Sequence, residues 1–410
     1  RKDGMSQDSS GRQRPDPPPG PPAAPARSAP PPEANPGLGR RAAAALPTVL
    51  SSIGAVAIAL AAGAVIILLS GQDPVAAYVA LFQGAFGGVK PLTETLVAAT
   101  PLIFGGLAFA VAAQAGLFNI GIEGQLVLGG LAAGIVGALP LGLPLVLHLP
   151  LALAAAVAAG GLWGFVPGFL KARTGAHEVI TTIMLNYLAF RLSTVLISMA
   201  GVLPVKPDLQ ATLPVSPDAR LPKLIPETRF HAGFLLALLV AAAVWWLLYR
   251  TTFGYRLRTV GISRGAAAYA GISWGLTITL AMTLSGALAG LGGAADTLGL
   301  QGRYYNVQAG YGFTSIAVGL VGRNNPFGVV AAALLFGALS AGANRMQNTA
   351  GASKDLVSVL LGLVILSVSG FAVLDEFRKR RKQAAAAQSI TRDRAEDDPS
   401  GPGDTRFQPL

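Results

Sequence analysis

Asn119, Glu123 and Gln125 put two amides and a carboxylate into seven consecutive residues, Asn119-Ile120-Gly121-Ile122-Glu123-Gly124-Gln125. The stretch opens with Gly116-Leu117-Phe118 and joins two apolar runs. Such groups are costly in hydrocarbon unless they face a wet cavity or a partner, so they are candidates for function. Glu123 reads in two compatible ways, as a residue fixing a helix break and as a group lining a pathway. Non-helical backbone at membrane depth is tolerated only where it is covered by protein or lines a cavity.

A second polar stretch runs Gly175-Ala176-His177-Glu178-Val179-Ile180-Thr181-Thr182-Ile183-Met184-Leu185-Asn186-Tyr187. Glu178 follows the basic Lys171 and Arg173 and opens an apolar run, where a carboxylate suits the positive end of a helix. Asn186 and Tyr187 lie two turns deeper and are pathway candidates. Arg191 is deeper still, and either faces the bundle interior or snorkels outward. The third stretch, 251–272, contains Arg256, Arg258, Gly261 and Arg264 ahead of Gly265-Ala266-Ala267-Ala268. Its alanines favour a short helix that Gly271 can end. That helix is either filler or, with small side chains ringed by arginines, a piece that seats in a groove on another protein. A connection of this length is unusual between packed helices.

These stretches sit in a chain of 410 residues that is 52% hydrophobic and 12% charged. Of its 51 charged residues, 25 fall in 1–40 and 375–410. A soluble domain would carry about a quarter of its residues as charges, so the middle of the chain belongs in lipid. The net charge of +11 does not point to nucleic acid, because the basic residues flank apolar runs and no basic stripe with interleaved aromatics occurs. With no cysteine, a disulfide framework and a thiolate metal site are excluded; three scattered histidines make a histidine metal cluster equally unexpected. No phosphate-binding Gly-rich loop is present, so ATP, if used, is hydrolysed by another chain. No deep histidine has a serine or aspartate partner for intramembrane catalysis, and no cofactor is called for.

The expected fold is all-α: a polytopic helical membrane protein with about ten spans and both termini cytoplasmic. The spans are 46–69, 92–113, 121–139, 145–170, 179–200, 232–249, 273–295, 303–322, 326–343 and 354–373. The first run, about 24 residues, is too long for a signal segment. Alternation then puts Lys171, Arg173, Arg250, Arg256, Arg258, Arg264, Arg323 and the basic run 378–382 inside, as the positive-inside rule requires. The segment 296–322, with Asp296, Arg303 and several glycines, reads as broken or re-entrant. Gly160, Gly164 and Gly168, and again Gly286 and Gly290, are spaced for close helix packing. The halves 92–200 and 273–373 each set a Gly-rich polar stretch among about four spans, which hints at an internal repeat. Residues 1–40, with eleven prolines, and 375–410 are expected to be disordered cytoplasmic tails around a transmembrane domain at 41–374.

Three motifs carry a resemblance: Ala115-Gly116-Leu117-Phe118-Asn119-Ile120-Gly121 with Glu123-Gly124-Gln125, the 175–187 stretch, and Gly310-Tyr311-Gly312-Phe313-Thr314-Ser315-Ile316-Ala317-Val318-Gly319-Leu320 followed by Asn325-Pro326. Across 46–374 the chain resembles the permease subunit of ABC importers in the branched-chain amino acid and ribose permease superfamily. It is most similar to nucleoside permeases that work with basic-membrane-protein lipoproteins. The resemblance implies a multi-pass protein of the bacterial cell membrane that is not itself an enzyme. It also implies a separate ATP-binding subunit, a second homologous permease and an external substrate-binding lipoprotein. Ala266-Ala267 and Gly271 match the coupling motif of such permeases, with Gly265 in place of its Glu and Ser263-Arg264 where relatives carry Asn-Pro. Arg258, Gly261, Ala266, Ala267 and Gly271 would then meet the ATPase. Phe118, Asn119, Glu123, Gln125, Asn186 and Tyr187 would line a cavity where rings stack on a nucleobase and amides bind ribose hydroxyls or base edges. The same machinery could carry a monosaccharide or a branched-chain amino acid. An ion-coupled carrier is the rival of another class, but it needs deep carboxylates, and only Glu123 is deep.

Overall fold

A computed structural model describes residues 57–307 and 309–351, with isolated positions at 54, 356, 358–360, 362, 363, 366 and 367. The expected tails at 1–40 and 375–410, the start of the first span and most of the last lie outside the described residues. Six helices among them are long and apolar enough to cross a membrane, and four shorter apolar helices accompany them. The elements are α1 (Ala57–Leu69), α2 (Pro74–Phe86), α3 (Val89–Gln114), α4 (Ile122–Ala138), α5 (Leu145–Thr174), α6 (Glu178–Ser198), α7 (Gly233–Arg250), α8 (Thr252–Ile262), α9 (Arg264–Tyr269), α10 (Trp274–Ala294), α11 (Tyr311–Val321) and α12 (Pro326–Ala350).

Helix α2 was not expected from sequence. Its 13 residues fall short of a span, yet its start is well specified: Pro74 fills the first position and the Asp73 carboxylate accepts from Val75 N–H at 2.8 Å. Helix α12 begins the same way, with the Asn325 side chain accepting from Phe327 and Gly328 ahead of Pro326. Gly175, at φ +71°, ends α5 in the left-handed conformation that glycine adopts without strain.

The bundle is organised around α3 and α10. Helix α10 lies against α5 with almost no side-chain layer between them. A methyl carbon on Gly286 would stand 2.1 Å from the Gly160 carbonyl oxygen, and one on Gly160 2.3 Å from that of Gly286. Gly290 meets the Ala156 carbonyl in the same way, at 2.2 Å, and Gly164 the Met282 carbonyl at 2.3 Å. In lipid, where the hydrophobic effect does not drive helices together, this close approach supplies the dispersion contacts that do. On its other side α10 meets α4, where Gly293 would clash with the Leu126 carbonyl at 2.0 Å. The packing expected of these glycines is therefore present, and it extends to α4.

Residues 199–232 form the connection at one end of the bundle. A two-residue antiparallel ribbon pairs Val205–Lys206 with Ala211–Thr212, and the segment then bonds to the end of the α10 continuation through Val215 N–H to Gly302 C=O and Leu221 N–H to Leu298 C=O. His231 is buried in this segment, its Nδ1 accepting from Gly233 N–H at 3.2 Å and its ring packed where Gly299 has no side chain. Burial lowers its pKa to about 4. The unfolded chain would bind a proton near pH 6.5, whereas the folded chain resists until about pH 4. Stability conferred by neutral His231 is thus complete above pH 6.5 and declines as pH falls towards 4, by up to about 3 kcal/mol. Thermal melting in detergent at pH 7 and pH 4.5 should reveal this loss, and His231→Gln should flatten it. An equal pH dependence in the variant would assign the effect elsewhere.

Candidate functional site

Two chain breaks interrupt the helices, and they meet. In the first, α3 ends at Gln114, whose side chain donates to Asn324 C=O at 3.2 Å. Gly116 then turns the chain at φ +74°, and residues 117–120 have no regular secondary structure before α4 begins. Non-helical backbone inside a bundle leaves amides and carbonyls without ladder partners, and the polar side chains of this region serve them. Asn119 Oδ1 accepts from Gly121 N–H at 2.9 Å. Its Nδ2 donates to Gln125 Oε1 at 2.9 Å and to Ser285 Oγ on α10 at 2.8 Å. Asn186 reaches across from α6, donating to Ile120 C=O and accepting from Gly124 N–H, both at 2.9 Å.

The second break follows α10. The helix continues as a wider π-helical stretch, Ala295–Gln301, and Gly302 at φ +66° ends it. Residues 302–307 bond to the 199–232 segment through Thr212 N–H to Tyr304 C=O and Asn306 N–H to Gln210 C=O. The 11-residue α11 then starts inside the bundle, as the broken 296–322 reading expected. Its exposed N–H groups find Glu123: Gly310 N–H donates to Oε1 at 3.0 Å and Gly312 N–H to Oε2 at 2.5 Å. A carboxylate in the first turn of α4 therefore satisfies the N-terminus of α11 as well, so two positive helix ends share one negative charge.

Of the six residues expected to line a pathway, the structure gathers four. Asn119, Glu123, Gln125 and Asn186 are buried and bonded as described. Phe118 stands apart, its ring edge-on to Phe109 at 5.1 Å. Tyr187, about 100° further round α6 than Asn186, is 64% exposed. Sequence reasoning missed Ser285, which carries Asn119 from 166 residues away, because a single serine in an apolar helix gives no signal. It also left Asp296 at a span end. In the structure Asp296 joins Glu123, Thr297, Tyr304, Tyr305 and Tyr311 around a cavity of about 30 Å³, room for a water molecule. Asp296 Oδ1 is buried and has no hydrogen-bond partner among the described residues. Tyr311 also borders a polar vestibule of about 1070 Å³ at the 199–232 end, where Arg229 pairs with Glu94.

At the opposite end lie α8 and α9. The Ser263 side chain accepts from Ala266 N–H at 3.3 Å and starts α9, Arg264 stacks over the Trp274 ring at 4.2 Å, and Gly271 at φ +69° closes the turn as expected. Ala267 faces the bundle and is fully buried, so it seats the helix; Tyr269 and Ile262 are the groups that stand out, 97% and 87% exposed. Ala266 is exposed, and Arg258 is half-buried beside the Tyr249 ring at 5.1 Å. Gly261 lies against the first break: a methyl carbon there would stand 2.2 Å from the Gln114 carbonyl oxygen and 3.0 Å from the Gly116 nitrogen.

Helices broken where two half-helix N-termini meet, with a short helix presented at one end, are the anatomy of a multi-pass membrane permease. The chain belongs to the branched-chain amino acid transport system permease component family, whose model matches residues 92–369. It is 42% identical to the guanosine ABC transporter permease protein NupP of Bacillus subtilis, over 81% of this chain and 96% of that one. It is 33% identical to the nucleoside ABC transporter permease protein NupB of Lactococcus lactis, over 80% and 92%. It is 36% identical to the glucose ABC transporter permease protein TsgB13 of Haloferax volcanii, over 80% and 88%. No solved structure matches.

Proposed function

We propose that the chain is the membrane-spanning subunit of an ATP-driven importer that brings nucleosides into the bacterial cell by alternating access. The observation that carries this reading is the 42% identity, over 81% of this chain, to a permease named for guanosine. ABC permeases work with an ATP-binding subunit and a substrate-binding protein. In this reading the α8–α9 end is cytoplasmic, in keeping with Arg250, Arg256, Arg258 and Arg264, and both termini share that side. Residues 41–374 make the permease domain, 1–40 and 375–410 are its cytoplasmic tails, and a second homologous permease completes the pore. The ATPase grips the outward groups of α9 and moves α8; Gly261 pushes on the turn at Gly116, and the Asn119–Glu123 network carries the shift to α11. Arg258, Gly261, Ala266, Ala267 and Gly271 shape and seat this coupling end. Asn119, Glu123, Gln125 and Asn186 fix the break that moves, while Phe118 and Tyr187 offer rings to the solute.

A monosaccharide is the second reading of the cargo, favoured by the 36% identity to the permease named for glucose. Proteoliposomes holding this chain, its partner permease, the ATPase and the binding protein decide between them: radiolabelled nucleoside should accumulate with ATP, and accumulation of glucose alone would overturn the cargo assignment. In the same vesicles Tyr269→Ala should cut ATP-driven uptake about tenfold or more, the effect of truncating an aromatic anchor at an interface. Insertion and melting should stay as in the wild type because Tyr269 touches little of its own bundle. Unchanged uptake would remove α9 from the coupling interface.

A further inference from the structure

Helix α6 has two faces of opposite character. Thr182, Asn186, Ala189, Ser193 and Ile197 are buried against the bundle, and Ile180, Met184, Tyr187, Leu188, Arg191 and Val195 form an exposed stripe on the other side. Arg191 is out of place in that stripe. At 1.5 Å per residue it lies about 20 Å from the Glu178 end and about 10 Å from the Ser198 end of an apolar helix. Among the described residues, none accepts a hydrogen bond from its guanidinium or pairs with its charge. The arginines of the vestibule differ in this respect: Arg229 pairs with Glu94, and Arg345 donates to Gln83 at 3.1 Å. An unpaired arginine at such depth is costly in hydrocarbon and is accommodated by snorkelling to the interface, by water or by a partner.

Around Arg191 the surface is hollowed. Tyr187, Phe190, Arg191, Thr194 and Asn306 line a cavity of about 280 Å³. Asn306, from the second chain break, is held in place, donating to Thr194 Oγ1 at 3.0 Å and accepting from Ser193 Oγ at 2.9 Å. Ser193 Oγ also lies 2.9 Å from the Tyr304 hydroxyl. Aromatic ring, fixed amide and free guanidinium thus converge on one hollow. A guanidinium offers two parallel N–H donors, which match the adjacent O6 and N7 acceptors of a 6-oxopurine and mismatch the N6 amino donor of adenine. A phenol ring stacks on any flat base.

We propose that Tyr187, Arg191 and Asn306 form a solute-binding site on the pathway wall facing the second permease, with Arg191 selecting 6-oxopurine nucleosides. This site rests on the nucleoside-import reading and adds to it the class of base and the groups that choose it.

The chain contains no cysteine, so an introduced thiol is the only one it contributes, and reaction is read on this subunit alone. Val195→Cys, one turn beyond Arg191 on the same stripe, and Leu239→Cys, exposed on α7, are compared in the assembled transporter with a membrane-impermeant thiol reagent. The Val195→Cys thiol should react and the Leu239→Cys thiol should not. Guanosine and inosine should slow the reaction at least about fivefold, the lower end of what a bidentate arginine–guanine pair is worth, while adenosine and glucose leave it unchanged. Adding Arg191→Gln should erase the protection by guanosine. Equal reactivity at the two positions, or protection that survives Arg191→Gln, would overturn the site. Guanosine uptake by the wild type is followed in the same vesicles. Its absence marks failure of the import reading, whereas intact uptake without protection marks failure of this site alone.

Discussion

Gly286→Val should leave little folded protein in the membrane. The first carbon of any side chain at 286 meets the Gly160 carbonyl oxygen at 2.1 Å, and the obstacle is backbone, which has no rotamer to yield. Helices α5 and α10 would have to separate, losing the Gly164–Met282 and Gly290–Ala156 approaches with them. Overpacking of this kind costs about 3 kcal/mol or more. Size-exclusion profile and thermal melting in detergent measure the loss. Gly265→Ala is the internal control, since the nearest atom to its added methyl is 3.8 Å away and the residue sits in a helix that alanine favours. Wild-type melting in Gly286→Val would mean that α5 and α10 are not apposed as described.

Glu123→Ala should strike function harder than assembly. Removing the carboxylate leaves the N–H groups of Gly310 and Gly312 with no side-chain acceptor at a buried helix end, and hydrogen bonds to a charged group are worth about 1.5–3 kcal/mol each. The glycine contacts between α5, α10 and α4 do not involve this side chain, so the bundle should still form. The start of α11 should lose its fixed position, and uptake should fall about a hundredfold, the equivalent of about 2.7 kcal/mol. Glu123→Gln should recover part of the loss, since one oxygen remains to accept while the new amide group opposes the second N–H. Wild-type uptake kinetics in Glu123→Ala would show that the junction of α4 and α11 plays no part in transport.

Much of this architecture is written in the order of residues. Apolar run length locates the long helices, and four-residue glycine spacing announces the α5–α10 contact because only hydrogen side chains allow such an approach. The breaks at 116–121 and 296–310 are visible because glycine and polar groups collect there. Direction is harder to read than depth. In a helix that is apolar nearly all round, no periodic contrast says which side turns inward. Asn186 and Tyr187 are neighbours in sequence and equally deep, yet one is buried against α4 and the other points out. Asn119 and Glu123 are legible in the sequence as polar groups at depth, but the atoms they bond are not: backbone N–H groups, Gln125 and Ser285. Ala267 matches a coupling motif, and the motif does not tell that its side chain is buried against its own bundle while Tyr269 stands outside. Helix α2 escaped notice because 13 residues cannot span a bilayer unaided.

Helix α6 buries Asn186 and Ser193, which bond to the two chain breaks, and exposes Tyr187, Arg191 and Val195, with Asn306 reaching from Ser193 to the hollow. Substitutions at 187, 191 or 195 would leave Asn186 and Ser193 undisturbed. Under the proposed site, a few changes on one stripe would retune which solute is taken while the contacts that hold the bundle stay as they are.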